Sequence, residues 1–255
     1  MARGSAGETA LQKNLRILQA FDAKTPYLTL TEITERAGLP KSTTHRLLAE
    51  LGREGLVERW TDRTYRLGAR LYELASRAPG AFGLREVARP FLIQVQSVVR
   101  QHTQLAVLAG TDVLYIERVS ARDSAINHTI IGGRIPAYAS SFGVAMLAHA
   151  SDETVQAVAS SGFRAFTSAT IGSESELRAV LARVQADGCA VLPGHVHPDS
   201  TGVAVPVYGP HGAVYAAIGV VVPNDGASPK PIIEILKRAS ANVTRALVRA
   251  MAGER

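Results

Sequence analysis

The sequence predicts an α+β protein in two parts: an N-terminal winged helix-turn-helix unit, then a larger unit in which helices cover an antiparallel sheet. Three observations predict it. Between Thr29 and Leu67 a capping-box start, a glycine-stopped short helix, a second amphipathic helix and two strand-like runs follow one another at winged-unit lengths. Pro79-Gly80-Ala81-Phe82-Gly83 then breaks a helical stripe, the best domain boundary in the chain. Beyond it, apolar runs separated by glycine turns alternate with amphipathic segments. The expected divisions are a disordered tail over 1–8, a winged unit over 9–68, a linker helix and break over 69–83, and the sheet-and-helix unit over 84–255.

From Thr9, the spacing of Leu11, Leu15, Leu18 and Phe21 predicts an amphipathic helix that ends before Pro26 and completes a three-helix core. The next helix opens at Thr29-Leu30-Thr31-Glu32, where the threonine hydroxyl and the glutamate each satisfy an orphan amide, and Gly38 supplies the left-handed residue that stops it. A third helix runs from about Pro40 to Arg53. At 100° per residue Thr44, Leu47, Leu48 and Leu51 share one narrow sector, which packs inward. Ser42, Arg46 and Arg53 lie opposite, flanked by Lys41, Thr43 and His45. Small hydroxyls let a backbone approach, an arginine pairs with guanine, and a helix start favours phosphate, so this face suits a major groove. Leu56 to Trp60 and Thr64 to Leu67 then form a wing around Thr61-Asp62-Arg63, with Arg63 at its tip and Trp60 packed against the hairpin.

After the wing, Leu67, Leu71, Leu74 and Ala78 make a second amphipathic stripe, and Leu84, Val87, Phe91, Val95 and Val98 a third, reaching Arg100. Thr103 to Ala109 and Val113 to Val119 read as a hairpin around Gly110-Thr111-Asp112. Ala125 to Ile131 reads as a third strand closed by Gly132-Gly133. Helices are expected at Ser140 to Ala148, Ser151 to Ser160 and Ser173 to Asp187. Further strands are expected at Ala190 to Leu192, Val203 to Tyr208 and Val214 to Val222, and a closing helix from about Ser228 to Met251. Ile232, Ile235, Leu236, Ala239, Val243 and Leu247 of that helix face inward.

A chain of 255 residues, 46% hydrophobic and 20% charged, has material for two modest cores and needs no disorder to explain it. Residues 1–80 hold 13 Lys and Arg against 9 Asp and Glu, and the remainder 15 against 13, so the basic surplus sits on the part that resembles a nucleic-acid reader. A single cysteine, Cys189, excludes an internal disulfide, and no signal peptide or membrane-length apolar run is visible, which together point to a cytoplasmic protein with no membrane partner.

Catalytic motifs are missing: there is no P-loop, nucleophile elbow, zincin helix or dinucleotide fingerprint. His195-Val196-His197 with Asp199 and Cys189 lacks the spacing of a structural zinc site and reads as a polar loop beside a pocket, so no metal and no cofactor is expected. Gly132 to Met146 is more informative. A strand ending in paired glycines leads through Arg134 and Pro136-Ala137-Tyr138-Ala139 into a helix beginning Ser140-Ser141, whose free amides suit a carboxylate. A serine helix cap is the bland alternative.

The ordered run from Leu30-Thr31-Glu32-Ile33 through Gly38-Leu39-Pro40-Lys41-Ser42-Thr43-Thr44-His45-Arg46-Leu47-Leu48 to Gly55-Leu56-Val57-Glu58 and Tyr65-Arg66-Leu67-Gly68 resembles the DNA-binding domain of the IclR family of bacterial transcription regulators. Leu84 to Pro90, Leu114 to Val119 and Gly133 to Ser140 resemble the opening of that family's effector domain, so the likeness covers nearly the whole chain. It implies a GAF-like sensor fold and double-stranded DNA as partner, at a palindromic operator. One such unit reads DNA too weakly to compete with a genome, so a homodimer on two half-sites, or a homotetramer, is expected, with dimer contacts through the helices around Leu11 to Phe21 and Leu67 to Ala78. Carried over by position, the effector pocket comprises Asn127, Ile135, Tyr138, Ser141, Phe142, Leu192, Ser200, Gly202, Gly219 and Val221, with His195 and His197 as further polar contacts. The sequence departs from better-known members: Val144 stands where a lysine is common, and Pro193 to Asp199 replaces an acidic stretch. With Leu192, Gly202, Gly219 and Val221 in place of polar residues, the expected pocket is roomy and apolar and takes an aromatic or hydrophobic carboxylate. The rival is an enzyme acting on a small organic acid, with the N-terminal module used only for docking.

Overall fold

The structure, a computed structural model, describes residues 8–22, 25–77, 81–120 and 129–252. Contacts divide the chain into two compact units, Met1–Phe82 and Gly83–Arg255.

In the first unit, α1 (Ala10–Gln19) is capped by Thr9, whose hydroxyl accepts from the Gln12 amide while the Gln12 side chain returns a bond. Residues 1–7 of the expected disordered tail lie outside the described residues, but Glu8 is held to Arg16 at 2.9 Å, because Arg16 faces it across the first turns of α1. The inward face of α1 differs from the expected leucine stripe. Ile17, Ala20 and Phe21 are buried, whereas Leu11 and Leu15 are 68% and 45% exposed. Ile17 lies roughly a third of a turn from that stripe, and the helix rolls to pack it on α2 (Leu30–Ala37) and α3 (Lys41–Arg53).

The capping box of α2 forms in full, and Gly38 ends the helix at φ +59°. Thr44, Leu47, Leu48 and Leu51 are all buried on α3. Past Glu54, Gly55 adopts φ +68° and the Leu56 amide reaches back to the Leu51 carbonyl, turning the chain into the wing. That wing is β2 (Val57–Arg59) and β3 (Thr64–Leu67), joined on the other side of β3 by a two-residue strand, β1 (Leu28–Thr29), too short for a periodicity search to find. α4 (Ala69–Ser76) follows, with Tyr72 and Leu74 exposed. Leu47 is fully buried in a core of few large side chains. Leu47→Ala is expected to destabilise this unit by about 2–5 kcal/mol, read as a lower melting temperature and lost DNA binding; wild-type melting would refute it.

The second unit is built on a six-stranded sheet, all pairs antiparallel. In sheet order the strands are β6 (Arg134–Pro136), β5 (Asp112–Val119), β4 (His102–Ala109), β9 (Val214–Pro223), β8 (Ser200–Tyr208) and β7 (Ala190–Pro193). One face packs on α5 (Ala81–Val99) and α9 (Lys230–Met251). The other packs on α6 (Ser141–Leu147), α7 (Asp152–Ser160) and α8 (Glu174–Asp187). On α5 the buried line is Leu84, Ala88, Leu92 and Val95, while Val98 is 65% exposed. The small Ala88 lets the helix approach the sheet, a role a search for large hydrophobics passes over.

The expected strand from Ala125 falls mostly outside the described residues, and Thr129 to Ile131 is not strand. The strand lies instead after the glycines. Gly132 adopts φ +80° and donates to the Tyr115 carbonyl, closing a turn that delivers Arg134–Pro136 to the edge of β5. No helix among the described residues is long and apolar enough to cross a membrane.

Candidate nucleic-acid interface and effector cavity

On α3, Lys41, Ser42, His45, Arg46 and Arg53 are exposed and Thr43 is half-buried. Arg63 is exposed at the wing tip. No side chain caps α3, because its N-cap is Pro40, and its first amides stay open to a phosphate. Arg46 folds back on Glu50 one turn along, an exposed pair. Trp60 lies against the wing: the Arg66 guanidinium stacks 4.2 Å from its ring centre and Tyr27 sits at 5.5 Å. Arg66 is also held by Glu58 at 2.7 Å, so it braces the hairpin. The polar face therefore carries free hydroxyls and cations while its opposite face is fully used in the core.

In the second unit a cavity of about 460 Å³ opens between the sheet and the start of α6, a size typical of small-ligand sites. Its walls are largely apolar, with Ile130, Ile135, Phe142, Phe166, Leu192 and Val221 prominent. Gly202 lies on its floor: a Cβ there would come within 2.6 Å of the Ser141 hydroxyl, so a larger residue at this position would displace that hydroxyl at the start of α6. The loop between β7 and β8 closes one side. Thr167 and Thr170 fix it by donating to the carbonyls of Gly194 and His195, each at 2.7 Å. His195 Nδ1 lies 3.0 Å from the Pro193 carbonyl, which only accepts, so that nitrogen is the donor.

Of the residues expected at the pocket, Ile135, Ser141, Phe142, Leu192, His195, His197, Ser200, Gly202 and Val221 line this cavity. Asn127 lies outside the described residues. Tyr138 does not line it. Its side chain is 1% exposed, its hydroxyl is tied to the Arg164 backbone and its ring edge meets Phe163. The turn before α6 points it into the core. Gly219 is not at the wall either; a Cβ there would meet the Val203 carbonyl at 2.3 Å, so its role is the close pairing of β8 with β9. Cys189 packs in the opposite layer, with α5 and α9, and does not converge with His195 and His197.

Sequence reasoning passed over Tyr115, which lines the cavity from β5. Its hydroxyl bonds Ser140 at 2.9 Å, its ring meets Phe142 edge-on, and burial pushes its pKa up to about 12, so it remains a neutral hydroxyl. A tyrosine on the buried side of an alternating strand needs a polar partner, and that was the available signal. Ser140 is thereby engaged with Tyr115, and both Ser140 and Ser141 of the helix start line the cavity.

The family model described as IclR helix-turn-helix domain matches residues 10–60, and that described as bacterial transcriptional regulator IclR C-terminal matches residues 78–245. The chain belongs to the IclR family. IclR-family proteins are ligand-responsive transcription regulators, and in this one the helix-turn-helix unit is a DNA-binding module and the C-terminal unit a small-molecule effector module. The chain is 29% identical over 243 residues to the HTH-type transcriptional regulator XynR of Escherichia coli, covering 93% of this chain and 96% of that one. To the Pca regulon regulatory protein of Pseudomonas putida it is 29% identical over 214 residues, covering 83% and 73% of the two chains. Among solved structures, an IclR homolog from Microbacterium hydrocarbonoxydans complexed with 4-hydroxybenzoate superposes with a TM-score of 0.87 at 38% identity, covering 95% of this chain and all of that one.

Proposed function

We propose that this IclR-family regulator senses a small aromatic carboxylate in the C-terminal cavity and binds a palindromic operator as a homodimer or homotetramer through the exposed face of α3 and the wing. The observation that carries the effector class is the character of the cavity, an apolar slot with a few convergent hydroxyls, histidines and an arginine. The 4-hydroxybenzoate in the Microbacterium homolog supports the same class. Lys41, Ser42, Thr43, His45, Arg46, Arg53 and Arg63 form the DNA-reading set, and Ile135, Ser141, Phe142, Leu192, His195, His197, Ser200, Gly202 and Val221 the effector set. Exposed Leu11, Leu15, Tyr72 and Leu74 on α1 and α4 supply the dimer contact. The protein works in the cytoplasm and returns its ligand unchanged.

The test is ligand-dependent melting. At about 100 times Kd a ligand of the folded state adds roughly 2.7 kcal/mol, which for a unit of this size raises Tm by about 5–10 °C. 4-Hydroxybenzoate and its relatives are expected to produce that rise and to change the gel-shift affinity for the protein's own upstream region. Stabilisation by two- or three-carbon acids alone overturns the aromatic assignment. Recovery of a chemically altered acid after incubation with purified protein overturns the sensor reading in favour of an enzyme.

A further inference from the structure

Beside the cavity, at its Thr129 end, the sheet carries a half-buried cation, Arg118, that no acid among the described residues neutralises. The cross-strand pairs His102 with Val221, Gln104 with Gly219 and Gln104 with Arg118 bring His102, Gln104 and Arg118 together next to the cavity wall. Gln104 is fully buried and His102 is 9% exposed. The Arg118 guanidinium donates to the Thr129 carbonyl, and, at 2.9 Å, to Nε2 of His102. Because arginine only donates, His102 is the acceptor and is neutral; burial and then the nearby Arg118 charge hold its pKa below the usual value. Arg118 Nε–H is buried with no partner, and so is Gln104 Oε1, while Gln104 Nε2 bonds the Thr129 hydroxyl.

Neighbouring arginines differ. Arg85 and Arg89 share Glu117 at 2.7 and 3.4 Å, and Arg134, also at the cavity wall, lies 3.6 Å from Asp112 and is half exposed. Among the described residues Arg118 has no carboxylate partner, and burial weakens its hold on its own proton. A partly desolvated guanidinium that meets only neutral acceptors among the described residues, with its Nε–H buried, is an arrangement that an incoming anion relieves. Thr129, which contacts both Arg118 and Gln104, is itself part of the cavity wall.

We propose that Arg118, with Gln104 beside it, receives the carboxylate of the effector at the Thr129 end of the cavity, leaving the ring to the apolar walls. The assignment rests on the carboxylate-sensing role of this cavity and moves the anion away from the start of α6. A carboxylate seated side-on takes the free Nε–H and one Nη hydrogen, the bidentate geometry arginine is shaped for. A half-turn of the Gln104 amide exchanges its oxygen and nitrogen without moving the chain, so that it donates to the carboxylate while the Thr129 hydroxyl donates to it.

Isothermal titration of the full-length protein with 4-hydroxybenzoate and with its uncharged counterpart 4-hydroxybenzamide tests this. Arg118→Met is expected to weaken the acid by about 30-fold or more and the amide by no more than about threefold. Arg118→Lys, the variant to use if the methionine protein fails to fold, keeps the charge but not the fork and is expected to lose part of the preference for acid over amide. Acid binding that survives Arg118→Met, equal losses of acid and amide, or unchanged acid affinity in Arg118→Lys overturns the proposal. So does a loss that appears instead with Arg134→Met or Ser141→Ala, which would put the carboxylate at the wall or at the helix start. If the wild type takes glyoxylate or pyruvate and no aromatic acid, the effector class is wrong, and the same variants with those acids decide Arg118 separately. Failure to bind any carboxylate removes both.

Discussion

Arg46→Ala is expected to abolish operator recognition while leaving the fold and effector binding unchanged. A bidentate arginine–guanine contact contributes about 1–3 kcal/mol of discrimination, and the proposed dimer presents it twice, so the expected loss is roughly 30- to 20,000-fold in affinity. Nothing in the core depends on the side chain: it points away from the sector of Thr44, Leu47, Leu48 and Leu51 and is 62% exposed. In the free protein it is paired with Glu50, but an exposed pair one helical turn apart is worth only about 0.3–0.5 kcal/mol, so DNA displaces the glutamate at little cost. Two controls follow from that geometry. Arg46→Lys keeps the attraction to phosphate and loses the paired geometry, so it retains non-specific binding and loses the preference for the operator. Glu50→Gln removes both a competitor for Arg46 and a negative charge facing phosphates, and is expected to tighten binding modestly. Gel shifts at one fixed salt concentration measure all three. Unchanged affinity in Arg46→Ala would take Arg46 off the reading surface.

The winged unit was legible because its signals are local. Capping at Thr29, the left-handed Gly38 and the inward quartet of α3 each depend on residues within a few positions of one another, and the structure shows all three. Where packing between elements decides, the pattern misled. Leu11 and Leu15 repeat at helical spacing yet are exposed, because α2 and α3 meet α1 on its Ile17 side, and no spacing within α1 contains that fact. The same limit holds in the sensor unit. The strands of the central hairpin follow from alternation and a glycine turn, but which face each one turns to a helix does not. Tyr138 and Tyr115 are both aromatic residues near the start of α6, and only the folded sheet shows that the first is core and the second is cavity wall. Arg118 was invisible for a related reason: a basic residue near the end of a strand reads as a solvated edge until its cross-strand neighbours are known.

Gly143→Ala is expected to collapse the sensor unit, and comparison with Gly202→Ala shows why. A Cβ on Gly143 would lie 2.1 Å from the Ala137 carbonyl oxygen and 2.5 Å from its Cα, so the obstruction is backbone, in the 3-10 turn of Ala137–Ala139 that leads into α6. Every residue of α6 is buried, and it packs against the sheet and α8, so it cannot retreat. Overpacking against mobile side chains costs about 1–3 kcal/mol; here neither side yields and the cost is expected to exceed that range, lowering Tm by roughly 6–12 °C or more. At Gly202 the nearest atom is the Ser141 hydroxyl at 2.6 Å, the end of a side chain that turns about one bond. That variant is expected to fold and to lose effector affinity instead, because its methyl group and the displaced hydroxyl both enter the cavity. Melting curves with and without 4-hydroxybenzoate separate the two outcomes. A Gly143→Ala protein that melts with the wild type would mean that the 3-10 turn gives way to α6, and an adaptable turn at that point would let the cavity wall around Ala139 and Ser140 adjust to ligands of different size.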